Sequence, residues 1–205
     1  MALATYADLT GAVRDWMARS ADTTILTDAR VADAVRLAEV DIYERLRVRE
    51  METSAALTIA TQTTALPSGF IGARRLYLDA DPRIEMEYMA PPHFWGRFSD
   101  IWTGKPWAYT IEGDSVIVGP APGETYTGRL LFWKRLDALS IAVNALFSRQ
   151  PDLWLYGALA HAYMFTRAYD EAAPWKASFE AAMGRAAASN ERDRYGSAPL
   201  VMRVG

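Results

Sequence analysis

The sequence predicts an α+β fold: a four-helix bundle formed by N- and C-terminal helix pairs, with an antiparallel β domain inserted between them. Two observations carry this. Apolar residues recur at helical spacing before residue 50 and after residue 150, whereas the middle alternates at period two and is punctuated by Gly and Pro. Neither terminal helix pair has enough apolar partners to bury its stripes alone, so the two pairs are expected to pack together. The expected divisions are 1–52 and 137–196 for the two parts of the bundle, 53–136 for the inserted domain and 197–205 for a tail.

At the start, Thr5 and Asp8 have capping-box spacing, in an Asp form, and Leu9, Val13, Trp16 and Met17 follow one helical face. Ser20–Thr24 reads as a loop. Thr27 and Asp28 can cap a second helix running to about Glu50, with the stripe Val31, Val35, Ala38, Ile42 and Leu46. Its basic end, Arg45, Arg47 and Arg49, suits the negative pole of a helix dipole.

From Thr53 the texture becomes β. Thr53–Thr64 reads as one strand and a turn, Ala73–Leu78 as a second strand and Ile84–Met89 as a third. Ala90–Trp95, opening on prolines, suits a short helix, and Ser99–Lys105 a loop. The clearest signal is Gly104–Trp133. A loop at Gly113-Asp114, where glycine supplies positive φ, sets Ile111 opposite Val116 and Tyr109 opposite Val118 on one face. Pro120–Gly123 breaks the sheet, and Tyr126–Trp133 is expected to complete a three-stranded meander.

Asn144–Gln150 is irregular, with room for one helical turn. Leu153–Tyr169 is apolar on all sides and is expected to be a central, buried helix. Asp170 can cap a fourth helix with Pro174 in its first turn, facing inward through Trp175, Phe179, Ala182, Met183 and Ala186. Lys176 and Glu180 are spaced as an outer i,i+4 pair. Gly196 and Pro199 mark its end, leaving an apolar tail, Leu200–Val204.

Composition excludes more chemistry than it offers. A net charge of −3 gives no reason to expect a general nucleic-acid binder, and the lack of cysteine removes disulfides, thiol catalysis and thiolate zinc sites. The most apolar helix, Leu153–Phe165, is too short for a bilayer, and the first residues lack signal-peptide character, so a soluble protein with no membrane partner is expected. His161 lies mid-helix among apolar residues, and His93 has no second metal ligand at useful spacing. Glu85 and Glu87 read as the solvated side of a strand. Phosphate loops and nucleophile elbows are missing, so no enzyme, cofactor or metal is expected. The aromatics Phe94, Trp95, Trp102 and Trp107 are candidates for a β-domain interface.

Several short motifs together resemble the head-to-tail adaptor (connector) proteins of tailed bacteriophages. They are Ala4–Leu9, Leu46–Thr53, Leu66–Phe70 with Arg74–Leu78, Gly104–Pro106 before Tyr109–Gly113, Gly119–Pro122 and Pro151–Leu159, in the family's order over nearly the whole chain. The resemblance implies a structural virion protein of the phage neck, made in the host cytoplasm. It implies a homo-oligomeric ring, typically of twelve copies, docked beneath the portal and continuing the DNA channel. Its other partners would be tail or nozzle/stopper proteins and packaged double-stranded DNA, met non-specifically through phosphates. No catalytic, metal or cofactor residues carry over. On this reading the portal or subunit interface is expected at Arg192, Arg194, Tyr195, Leu200, Val201, Met202 and Arg203. Two alternatives stand beside it: a tail-tube or tail-completion protein, and a carbohydrate-binding module or glycosidase-like protein using Glu85, Glu87 or Glu112.

Overall fold

The computed structural model describes residues 3–17, 26–79, 82–98 and 102–195, the side chains of 193–195 excepted. The chain divides into two compact units, 1–50 with 136–205, and 51–135.

The first unit contains α1 (Tyr6–Trp16), α2 (Asp28–Arg45), and three helices of the C-terminal half. Those are α4 (Ala145–Arg149), α5 (Pro151–Phe165) and α6 (Tyr169–Tyr195). The capping box forms as its spacing implies: Asp8 N–H donates to Thr5 Oγ1 at 3.1 Å, and Thr5 N–H donates to Asp8 Oδ2 at 2.9 Å. Thr27 caps α2 through Arg30 N–H. The organising element is α5. It buries Leu153, Trp154, Leu155, Gly157, Ala158, Leu159, Ala160 and Ala162, and α1, α2, α4 and α6 all pack against it. Its Gly157 lets it approach closely, because a Cβ there would lie 2.8 Å from Ala38 Cβ and 3.1 Å from the Phe179 ring.

The second unit carries ten strands and α3 (Pro91–Arg97). One sheet runs in the order β1 (Glu52–Ile59), β10 (Tyr126–Lys134), β3 (Phe70–Leu78), β4 (Ile84–Glu85). Another runs β2 (Thr63–Ala65), β8 (Ser115–Gly119), β7 (Ala108–Glu112), β5 (Glu87–Tyr88), and β6 (Thr103–Gly104) pairs with β9 (Ala121–Pro122). The two larger sheets share a core: Leu57, Ile59, Leu76, Leu78, Leu130 and Phe132 from one, Tyr109, Val116 and Val118 from the other. A smaller cluster, Phe94, Phe98, Ala108 and Ile117, joins α3 to β7 and β8. Phe98 lies flat on Gly119, where any Cβ would sit 2.6 Å from its ring.

These facts correct the expected fold class. Among the described residues there are six helices and ten strands in three sheets, and the helices are not two terminal pairs framing a sheet insert as a four-helix bundle. The physical reason lies in α5. A helix apolar on every side takes neighbours all round and becomes a hub, whereas a bundle gives each helix one inward stripe. The sheets are not purely antiparallel either, since β5–β7 and β6–β9 pair in parallel.

Three local expectations also change. The hairpin register holds, with Ile111 opposite Val116, Tyr109 opposite Val118 and Gly113 at φ 53°. The meander does not: β10 pairs with β1 and β3 in the other sheet, because the Pro120–Gly123 break hands the chain across. Helix α2 stops at Arg45 rather than near Glu50, so only one of the three arginines ends a helix. Finally α5 closes at Phe165, the Ala168 N–H reaching back to the Tyr163 carbonyl around Arg167 at φ 61°. This leaves Tyr169 to begin α6 and places Pro174 inside that helix rather than in its first turn.

Candidate assembly interfaces

On the β unit, the four aromatics singled out in the sequence separate into core and surface. Phe94 is fully buried beneath α3, so its ring serves the core and is closed to a partner. Proline at the helix start fixes the first turn, and Phe94 and Phe98 then share one face toward β7 and β8, four residues apart. That geometry leaves Trp95 on the outside, 41% exposed, its indole N–H donating to Glu112 Oε1 at 2.6 Å. Trp102 is 49% exposed and stacks on Phe98, with ring centroids 6.2 Å apart. Trp107 is half-buried under the Arg97 guanidinium, 4.7 Å from its centroid. Tyr88, exposed on β5 and edge-on to Tyr109, belongs with them although the sequence reading missed it. A shallow cleft lined by Glu87, Tyr88, Met89, His93, Gly96 and Arg97 runs beside this ridge.

Glu85 and Glu87 do not form a catalytic pair. Glu85 sits on β4 beside Arg75 at 3.6 Å, while Glu87 sits on β5 in the other sheet, with buried Met86 between them. His161 is bonded to Asp41 across α2 and α5 at 3.0 Å, a structural role.

In the helical unit, Arg192 is exposed near the end of α6. Arg194 and Tyr195 lie within α6, but their side chains fall outside the described residues, as do Leu200, Val201, Met202 and Arg203 altogether. Beside the expected attraction to Lys176, a longer link dominates at Glu180: both its carboxylate oxygens take the Arg45 guanidinium of α2. That pairing holds the Glu180 carboxyl below its ordinary range. Arg185 binds Asp152 at 2.6 Å, so this basic residue is spent inside the unit.

Apolar groups also emerge at the surface here, Met164 and Phe165 among them although the sequence reading placed them inside. Met164 and Phe165 are half-exposed at the end of α5, with Arg30 over the Phe165 ring at 4.6 Å. Ile141 is 82% exposed at the tip of a turn whose base is fixed by buried Leu139. Leu139 N–H donates to Glu39 Oε1 at 2.8 Å. Burial pushes the Glu39 carboxyl up, while that N–H and the nearby Trp154 indole partly offset the shift. Among the described residues, the Trp154 N–H itself finds no bond of good geometry.

Among the described residues, no helix is long and apolar enough to cross a membrane. No curated protein matches the chain. The sequence profile of the SU10 adaptor protein family matches residues 4–203, and so spans both units. The chain belongs to the SU10 adaptor protein family, a family of structural phage head-tail adaptors.

Proposed function

We propose that this protein joins the portal of a phage capsid to its tail, as one copy in a ring that continues the DNA channel. The carrying observation is the family match over residues 4–203, which leaves neither unit unexplained. The surface chemistry fits a protein that works through contacts. Tyr88, Trp95 and Trp102 expose aromatic area on the β unit, while Ile141, Met164 and Phe165 expose apolar area on the helical unit. Aromatic side chains with a polar handle are typical anchors of protein interfaces. A ring requires two different patches meeting around an axis, and each copy here offers more than one. The C-terminal residues Arg192, Arg194, Tyr195 and 200–203 belong to the same reading as a portal or neighbour contact.

A tail-tube or tail-completion role differs in the partner bound. Tagged protein mixed with the phage's portal, and separately with its tail-tube protein, decides between them. Retention of the portal supports the adaptor reading, and retention of the tail-tube protein alone overturns it.

A further inference from the structure

Of the four outer edges of the two larger sheets in the β unit, three are blunted. β4 and β5 are two residues long and β2 three, and β5 runs into Pro91 and Pro92. Short edges and prolines are how proteins avoid unwanted strand pairing. The fourth edge is β1, and it carries none of these devices. It is eight residues long and pairs with β10 through eight residues without a bulge. Its sequence, Glu52-Thr-Ser-Ala-Ala-Leu-Thr-Ile59, has no Lys, Pro or Gly, and its one charge is engaged by Arg74. Among the described residues, β1 has β10 as its sole strand partner. Ser54, Ala56 and Thr58 are exposed on one face, while Ala55, Leu57 and Ile59 turn to the core.

An undefended edge of this length accepts an added strand, whose backbone supplies affinity and whose alternate side chains supply fit. The same chain contains a segment with the matching pattern. Following Pro199, residues Leu200, Met202 and Val204 alternate with Val201 and Arg203. Laid along β1, the first set extends the apolar row of Ala55, Leu57 and Ile59. Val201 and Arg203 then join the row of Ser54, Ala56 and Thr58.

We infer that β1 is a docking edge for residues 200–204 of a second copy, so that strand addition links neighbours in the ring. This rests on the ring reading above and names the contact that closes each step of it.

The chain has no cysteine, so introduced pairs report alone. Facing side chains on paired strands have Cβ atoms about 4.5–5.5 Å apart, near enough for a disulfide after small adjustment. The full-length chain carrying Ala56→Cys with Val201→Cys, or with Arg203→Cys, is assembled on the portal, oxidised and run without reductant. A ladder of linked dimers, trimers and longer species is the expected result. Rings that form on the portal yet stay uncrosslinked, or crosslinks confined within one chain, overturn the inference and leave the ring reading standing. Dimers from Ala56→Cys alone also overturn it, because they would mean that two β1 edges pair with each other. Absence of any ring removes both readings. As a second measurement, Leu200→Asp with Met202→Asp should keep the wild-type melting curve and lose the ring. Normal rings from that variant contradict the proposal.

Discussion

Single residues in this protein divide sharply by whether space surrounds them. Gly157 and Gly184 both interrupt helices, where glycine costs up to about 1 kcal/mol relative to alanine. At Gly157 a Cβ would press on Ala38 and Phe179, so the glycine is needed for helix contact; at Gly184 a Cβ would meet nothing within 4 Å among the described residues beyond its own helix backbone. Gly157→Val should therefore lower stability by about 1–3 kcal/mol through overpacking. Gly184→Ala should raise it by a few tenths to about 1 kcal/mol. Denaturant unfolding of the two variants checks both signs.

Glu39 is the other decisive residue. Burial raises its pKa, so the folded state binds a proton more readily than the unfolded chain does. Its contribution to stability is thus present at acidic pH and lost as pH rises through the folded pKa. Asp8 and Glu180 are lowered and act in the opposite sense, losing their contribution as pH falls. The Glu39 component is isolated by difference. Glu39→Gln should melt no lower than wild type at pH 7 and lose that advantage as the pH is lowered. A variant advantage that grows on acidification would show that charged Glu39 is favoured in the fold.

At the scale of elements, legibility followed how local the determining contacts were. The 108–119 hairpin could be read because its alternation, its Gly113 turn and its register all lie within twelve residues. The end of α2 could not, because its determinant lies 141 to 143 residues away. Asn190 of α6 accepts the Arg49 N–H at 2.9 Å and donates to the Arg47 carbonyl at 3.0 Å, groups a continuing helix would need for itself. Arg47 then covers the last helical carbonyls, its Nη1 2.6 Å from the Tyr43 oxygen and 2.8 Å from that of Leu46. The alternation Leu46-Arg47-Val48-Arg49 was the available signal for an extended segment, and Leu46 and Val48 are buried. Asn190→Ala orphans both backbone groups, each worth about 1–3 kcal/mol when buried, so it should be among the more damaging single changes in α6. Loss of less than half a kcal/mol would mean that water replaces Asn190 without cost.

The same distance rule explains the β10 placement. Its pairing with β1 and β3 joins residues fifty or more apart, and nothing in the 126–134 stretch names those partners. The candidate interface was legible only in part. Trp95 and Trp102 are on the surface, but Phe94 has the same local composition and is buried, since helical phase, not residue type, decides which ring faces β7.

For the whole molecule, each unit brings its own core: α5 with its surrounding helices in one, the facing sheets in the other. The second unit begins and ends on adjacent strands, Glu52 lying opposite Trp133, so the chain leaves it beside where it came in. Exposed aromatic and apolar side chains remain on both units, Tyr88, Trp95 and Trp102 on one and Ile141, Met164 and Phe165 on the other. Such surface is what a ring subunit placed between two other proteins would need to cover. The most direct measurement is the solution mass of the purified protein, alone and after mixing with the portal of the same phage. A multi-copy complex of portal with a ring of this chain is the predicted result. A chain whose mass is unchanged by portal would contradict it.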